Sequence, residues 1–421
     1  NIVTDVYDGV HPKNRVEVYP LIVQMQELFL NKPEWMGMLP RKFNTAICGS
    51  EESHLHFFGN DLFFALAHKE GEWGFNLYLG GKNSQSAQDA NLFVLPSQVA
   101  EMFEAVAKAY TTYGSRASRS KTRFFHLIEE IGMDAFREKI AQFYPHTLIP
   151  KGAFSIQKES MQDERILQNG EKGYCFRTHF GKISLQDLET LLDTARRNDA
   201  QVRLGIDQNF YIVGNLHAWQ KRGDETGACV ITACAGSRYC ALSLWDIKEE
   251  TRYLPLELLE KYRIEVGFSG CLKGCGRHHH ADIGLVGLRT NLFGEVQKAA
   301  RVFLGGIYSS EDARPARLLY YVVPLVHLNK LLEVIVAEFE VSGYDDFETF
   351  SREVLWRYSD AFLTMWFLAK LYLHESVKLC DTEDVLYRML LRHKGFPSFS
   401  DDDSYEETIR FLMHRLWDEK E

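Results

Sequence analysis

The sequence lacks several features that would place it quickly. No apolar run is long and uncharged enough to cross a bilayer. The most apolar late stretch, DAFLTMWFLAKLYLHESV (360–377), begins at Asp360 and is interrupted by Lys370, so it reads as a buried helix. There is no excess of positive charge: 58 Asp and Glu against 48 Lys and Arg give a net charge of −10. That balance disfavours general nucleic-acid binding and still permits a local basic pocket for a small anion. No G-x-G-x-x-G fingerprint for a flavin or nicotinamide dinucleotide is present. No charged-then-apolar export segment is visible, and the expectation is a cytoplasmic protein. Cysteine is scarce, eight in 421 residues, and no pair has the C-x2-C spacing of a zinc knuckle. Without an export segment, thiols in so large a chain are ligands or core residues rather than disulfides.

What is there is the composition of a folded protein, 45% hydrophobic and 25% charged, in a chain long enough for two or three domains. It also contains a repeat. WGFNLYLGG (73–81) returns as KAARVFLGG (298–306), and RKFNTAICGS (41–50) resembles YRIEVGFSGC (262–271). Aligning Gly49 with Gly270 gives an offset of 221, which also pairs Asp61 with Asp282. Each copy continues into an amphipathic helix, so two related α/β modules are predicted. Between them, residues 173–215 read as strand, helix, strand, with Ser184 capping the helix and QVRLGIDQNFYIVG alternating as one strand. The stretch from about 346 reads as mainly helical. Its aromatic stripe is expected in the core rather than at an oligomer contact, and FPSFSDDDSYEET (396–408) reads as a loop into a final helix.

The copies differ in their thiols. The second holds Cys234 and Cys240 in ACAGSRYC and Cys271 and Cys275 in SGCLKGCG, a C-x5-C-x30-C-x3-C pattern. At the repeat offset, Ser50 and His54 stand where Cys271 and Cys275 do. Four thiols in Gly-, Ser- and Ala-rich turns suit an iron–sulfur cluster, whose ligand spacing varies with the fold and whose sulfurs accept backbone N–H bonds. Zinc and a metal-free core remain alternatives at this point. Cys48, Cys175 and Cys380 stand alone and read as packing residues.

These residues bring a family into view. The pattern C-x5-C followed by S-G-C-x3-C resembles the siroheme- and [4Fe–4S]-containing nitrite and sulfite reductases. LPRKFNTAICGS (39–50), YGSRASRSKTRFFHLIEEIGMDAFREKI (113–140) and VRLGIDQN (202–209) are similar to further segments of that family, in the same order. The resemblance implies a mixed α/β (α+β) fold. Residues 1–150 form a first module without cluster cysteines, 151–222 a ferredoxin-like half-domain, 223–345 a second module, and 346–421 a helical C-terminal extension. It implies a [4Fe–4S] cluster on Cys234, Cys240, Cys271 and Cys275, with Cys275 also bridging to the siroheme iron. It implies siroheme contacts from Arg41, Arg116, Arg119, Arg123, Gln208, Asn209 and Lys273, with Lys121 in the same basic cluster. Arg41, Lys42 and Asn44 form the catalytic, substrate-side set. Arg41 and Lys42 are read as strand neighbours facing opposite ways.

The implied activity is six-electron reduction of nitrite to ammonia. PRKFN, with Asn44 rather than a second lysine, is similar to the nitrite type, as is ACAGSRYC. Sulfite reduction, and a noncatalytic cluster subunit or redox sensor, are the alternatives. The electron donor is external, a small acidic ferredoxin docking near Lys273 and Arg277. Three departures stand out. Leu272 and Lys273 replace the family's Pro and Asn, Gly205 replaces its Thr, and its N-terminal segment is absent. The middle unit is therefore expected to need a partner chain or the missing N-terminal half. The histidines of RHHHAD (277–282) are assigned a structural role, or one that supports the nearby ligands from behind, rather than metal ligation, because three in a row cannot share one strand face.

Overall fold

The computed structural model describes residues 2–118, 120–178, 180–217, 230–373 and 404–417. The chain forms two compact units. The first comprises Asn1–Arg177, Ile183–Gly223 and Tyr308–Arg314; the second comprises Thr178–Lys182, Asp224–Ile307 and Pro315–Glu421.

The first unit runs β1 (Ile2–Val3), α1 (Tyr19–Glu27), β2 (Thr45–Cys48), β3 (Glu52–Ser53), β4 (Leu62–Lys69), β5 (Glu72–Leu79) and β6 (Gln88–Val94). Then come α2 (Val99–Tyr113), α3 (Phe124–Ile131) and α4 (Met133–Ala141). Its main sheet has the order β1-β2-β4-β5-β6. β1, β2 and β4 are parallel, and β5 and β6 are antiparallel to their neighbours. LFFALA in β4 is apolar without alternation because both faces of the sheet are covered. Leu62 and Phe64 join one core with Met102, Phe103, Val106 and Tyr110 of α2. Phe63 and Ala65 join another on the opposite face, with Tyr7, Cys48 and Tyr78.

The unit continues through β7 (Ala153–Phe154), β8 (Gln157–Lys158), β9 (Glu164–Ile166), β10 (Lys172–Phe176), α5 (Leu185–Arg197), β11 (Gln201–Leu204) and β12 (Phe210–Val213). The last four strands make an antiparallel sheet in the order β11-β12-β10-β9. α5 packs on it through Leu191 and Ala195 against Tyr174, Phe176 and Ile212. Ser184 caps α5 as expected, accepting the Asp187 N–H at 3.0 Å, a bond of about 1 kcal/mol. The single strand expected over 201–214 is instead a hairpin. Gly205 N–H donates to Asn209 O at 2.9 Å, and Gln208 takes a left-handed φ of 72° between them. Alternation continues on both sides of the turn, so a period of two cannot reveal it; the Gly, Asp and Asn at 205–209 supply the turn chemistry.

The second unit repeats the first module. β13 (Ile231–Ala233), α6 (Leu256–Lys261), β14 (Val266–Ser269), β15 (Ile283–Thr290), β16 (Gln297–Leu304) and β17 (Arg317–Pro324) precede α7 (Leu325–Ser342). The sheet order is β13-β14-β15-β16-β17, with the same two parallel and two antiparallel pairings. β14 and β15 begin and end 221 residues after β2 and β4. The aspartates correspond too. Asp61 accepts the Asn44 N–H at 2.9 Å and Asp282 accepts the Glu265 N–H at 2.9 Å, and their carbonyls accept Gly80 and Gly305 N–H.

The C-terminal part adds α8 (Phe347–Glu353), α9 (Asp360–Leu373) and α10 (Ser404–Trp417). The aromatic stripe of α9 lies in the core of the second unit: Phe362, Trp366 and Phe367 are buried with Trp417 of α10. Lys370, which interrupts the apolar run, pairs with buried Glu338 of α7. Cys229, Cys380 and the loop 396–403 lie outside the described residues. Among the described residues no helix is long and apolar enough to cross a membrane.

Candidate functional site

The four thiols sit on two turns at one end of the second unit's sheet. β13 and β14 are parallel and in register, Ala233 beside Phe268, so the residues after them leave the sheet together. Cys234 follows β13 and donates its N–H to Phe268 O at 2.9 Å. Its Sγ accepts the N–H of Gly236 at 3.4 Å and of Gly270 at 3.2 Å. Leu244 N–H closes onto Gly270 O at 3.0 Å, and Cys240 N–H onto Gly236 O at 3.0 Å. A Cβ on Gly270 would lie 1.8 Å from Ser243 Oγ and 3.4 Å from Cys234 Sγ, so only glycine brings that backbone against the sulfur. Cys234, Cys240 and Cys271 are half-buried and Cys275 is exposed.

Two amides aimed at one sulfur suit a thiolate ligand of an iron–sulfur cluster. Thiolates around one zinc would stand about 3.8 Å apart, from a Zn–S bond of about 2.3 Å. Among the described residues, the metal-ligating groups that gather within 4.8 Å of one another are His11, Glu52 and Glu159, not the thiols. Arg165 already fills that triad, at 2.6 Å from Glu159 and in contact with His11. Cys48 and Cys175 are buried, and desolvation raises both thiol pKa values, as packing cysteines require.

The basic residues belong to the first unit. Arg41 and Lys42, expected as strand neighbours facing opposite ways, lie instead exposed in the loop ahead of β2, because the ladder with β1 and β4 begins only at Thr45. Asn44 is fixed through its backbone to Asp61. The second basic cluster lies in the loop between α2 and α3. Arg116 donates to Thr111 O at 3.0 Å, Gly114 O at 3.3 Å and Met38 O at 2.5 Å, tying this loop to the one that holds Arg41. Arg123 pairs with Asp61 at 2.9 Å. Arg41, Lys42, Asn44, Arg116 and Arg123 thus surround one corner, with Arg116 and Arg123 engaged by the protein itself. Burial raises the pKa of Asp61, and Arg123 opposes that shift. Arg119 lies outside the described residues.

Gln208 and Asn209 occupy the β11–β12 turn. Asn209 is buried and donates to Asp207 Oδ2 at 2.9 Å. A Cβ at Gly205 would lie 2.0 Å from Asp207 Oδ1 and 2.7 Å from a Tyr211 ring carbon, so a larger residue here would have to displace these side chains. Asp207 also accepts from Tyr211 Oη at 2.5 Å, and His54 lies 3.0 Å from that hydroxyl and 3.8 Å from the carboxylate. Burial pushes His54 down and Asp207 up; their mutual attraction reverses both shifts, favouring the charged pair. This network was missed in the sequence. The signal for it was His54 standing at the repeat position of Cys275. In the second unit, Lys273 is exposed between Cys271 and Cys275, and His278–His280 form a turn ahead of β15 rather than a strand.

Residues 1–148 match the sequence profile of the nitrite and sulphite reductase 4Fe-4S domain. A ferredoxin–nitrite reductase of Leptolyngbya laminosa is 28% identical over 335 residues, covering 73% of this chain and 66% of that protein. The chloroplastic enzyme of Zea mays is 26% identical over 342 residues, covering 72% and 59%. This chain is similar to the nitrite and sulfite reductases. The sulfite reductase [NADPH] hemoprotein beta-component of Acidithiobacillus ferrooxidans is also similar, 29% identical over 297 residues, covering 61% of this chain and 52% of that protein. The structure of the Mycobacterium tuberculosis NirA protein shares the fold, with a TM-score of 0.74 at 23% identity, covering 85% of this chain and 70% of that one. The chain thus spans two thirds or less of these curated relatives' length. The profile match falls on the module that holds only one cysteine, Cys48, and none of the four-thiol set.

Proposed function

We propose that this chain is the siroheme- and [4Fe–4S]-dependent part of a nitrite reductase, making ammonia from nitrite. The observation that carries the reading is the thiol set: four cysteines on two interlocked turns, with Cys234 Sγ accepting two backbone N–H groups. Cys234, Cys240, Cys271 and Cys275 would hold the cluster, and Cys275, the exposed thiol, would also meet the siroheme iron. When bound, the two groups supply one-electron steps, six electrons and eight protons per nitrite, giving ammonium and two waters.

The protein's part is charge and position. Arg41 and Lys42 are exposed cations for the anion and the macrocycle's carboxylates. Asn44 adds a hydrogen-bonding side chain without a second charge, which suits monoanionic nitrite. Arg116 and Arg123 hold the loops that carry these groups, while Gln208, Asn209 and Lys273 would give polar contacts to the macrocycle when it is bound. The relatives named ferredoxin–nitrite reductase support nitrite as substrate and a ferredoxin as donor, and the thiols support a reducing, cytoplasmic setting.

Sulfite reduction is the runner-up, on the likeness to the Acidithiobacillus protein. A noncatalytic cluster subunit is a second reading, favoured by the engagement of Arg116 and Arg123 within the protein. The deciding assay follows ammonium and sulfide formation by the anaerobic chain with reduced methyl viologen. The proposal expects ammonium from nitrite, with a large loss in K42A. Faster sulfide formation would overturn the substrate, and neither product would favour the noncatalytic reading.

A further inference from the structure

The loop that carries Cys271 and Cys275 is closed at its base by a contact made by neither cysteine. β14 ends at Ser269, and the loop returns at Gly276. Ser269 Oγ accepts the Gly276 N–H at 3.0 Å and lies 3.0 Å from His278 Nδ1. Ser269 and His278 are 1% and 0% exposed, so the contact is sealed from water, where a hydrogen bond is worth most.

The backbone has been cleared for this arrangement. Gly267 and Gly284 are paired across β14 and β15. A Cβ on Gly267 would lie 2.6 Å from His278 Cα, and one on Gly284 would lie 1.8 Å from His278 O. A Cβ on Gly276 would lie 2.2 Å from Phe268 O. The returning chain therefore lies flat on the sheet over two glycines and brings the imidazole to Ser269. Phe303 packs against its ring at 4.9 Å. Burial keeps this imidazole neutral, with its pKa lowered to about 3. A neutral ring can accept a hydrogen bond from the Ser269 hydroxyl at Nδ1 while the hydroxyl oxygen accepts the Gly276 N–H. His278 Nε2 has no hydrogen-bond partner among the described residues. The ring is thus held by one polar contact, the one to Ser269.

We propose that Ser269 and His278 form a clasp that fixes the Cys271–Cys275 loop and sets the separation of its two thiolates for the cluster. The clasp rests on the cluster reading above. It makes His278 a positioning residue that never touches the metal, and it gives one member of the RHHHAD run a specific task.

The test compares S269A, H278L and H278N in the anaerobically purified chain. Iron and acid-labile sulfide are counted first; release of iron to a chelator and the electron paramagnetic resonance spectrum of the reduced cluster are then followed. Outer residues that orient metal ligands typically change affinity about 10- to 100-fold. S269A and H278L are expected to release iron about 10- to 100-fold faster and to alter the spectrum. H278N, whose amide can replace Nδ1 but not the ring's bulk, is expected to stay near wild type. Wild-type release rates in H278L would overturn the clasp. Equal acceleration in H278N and H278L would overturn it too, because the ring would then act by packing alone. A wild-type chain that holds no iron and sulfide would instead sink the cluster reading, before any variant is made, and the clasp with it.

Discussion

Asp61 offers the sharpest stability test of the duplicated scaffold. Its side chain is fully buried, its Oδ2 accepts the Asn44 N–H at 2.9 Å, and its carboxylate pairs with Arg123. Asp61→Ala removes the acceptor and the counter-charge together. Breaking a buried pair costs about 3–5 kcal/mol. Arg123 is 30% exposed and regains water, so its share is discounted. The expected loss is about 3 kcal/mol, of which the orphaned Asn44 amide accounts for about 1–3 kcal/mol. Asp61→Asn keeps an acceptor for that amide and is expected to lose about half as much. Urea unfolding gives the total, and hydrogen exchange of residues 39–50 gives the local part. Because Asn44 follows Lys42 by two residues, the same variants are expected to weaken nitrite turnover in proportion to the exchange. A D61A chain with the wild-type urea midpoint and unchanged exchange at Asn44 would refute the reasoning.

Four further outcomes follow from the same structure. Asp8 accepts the N–H groups of Val18 and Tyr19 at the start of α1, so D8A is expected to cost about 1 kcal/mol in urea unfolding. Burial raises the Asp8 pKa to about 6, so its protonated form is favoured by folding. Its contribution is full below the ordinary carboxylate pKa and is lost as pH rises through about 6, so wild type should lose stability relative to D8N between about pH 4 and pH 6 and level off above that. K370M leaves the Glu338 carboxylate buried without its ammonium and is expected to cost about 3–5 kcal/mol, much of it recovered in K370M/E338L. K273E/R277E is expected to slow ferredoxin-driven turnover more than dye-driven turnover, and equal losses in the two assays would remove that docking face.

Much of the scaffold was legible because duplication leaves a register. Gly49 with Gly270 and Asp61 with Asp282 fixed the offset, and β2 with β14 and β4 with β15 keep it to the residue. β5 and β16 depart from it by four because the hairpin of Glu70 and Gly71 becomes the longer loop 291–296. The thiol turns were legible from spacing and small residues. The β11–β12 hairpin was not, because apolar alternation continues through both arms. The roles of Arg116 and Arg123 were hidden because a basic cluster looks the same in sequence whether it faces solvent, carbonyls or a buried aspartate. Asp8 was missed as the cap of α1 because it lies ten residues upstream, beyond any local capping pattern. Ser269 and His278 stayed unseen because their meeting depends on two glycines from different strands.

The central claim is that Cys234, Cys240, Cys271 and Cys275 hold a [4Fe–4S] cluster working with siroheme. The direct measurement is an ultraviolet–visible spectrum of the anaerobically purified chain, with iron and acid-labile sulfide counted on the same sample. The account expects siroheme bands with about five irons and four sulfides per chain, four of the irons in the cluster. A colourless protein holding zinc and no sulfide would contradict it, and a cluster spectrum without siroheme would withdraw the nitrite reductase assignment from this chain.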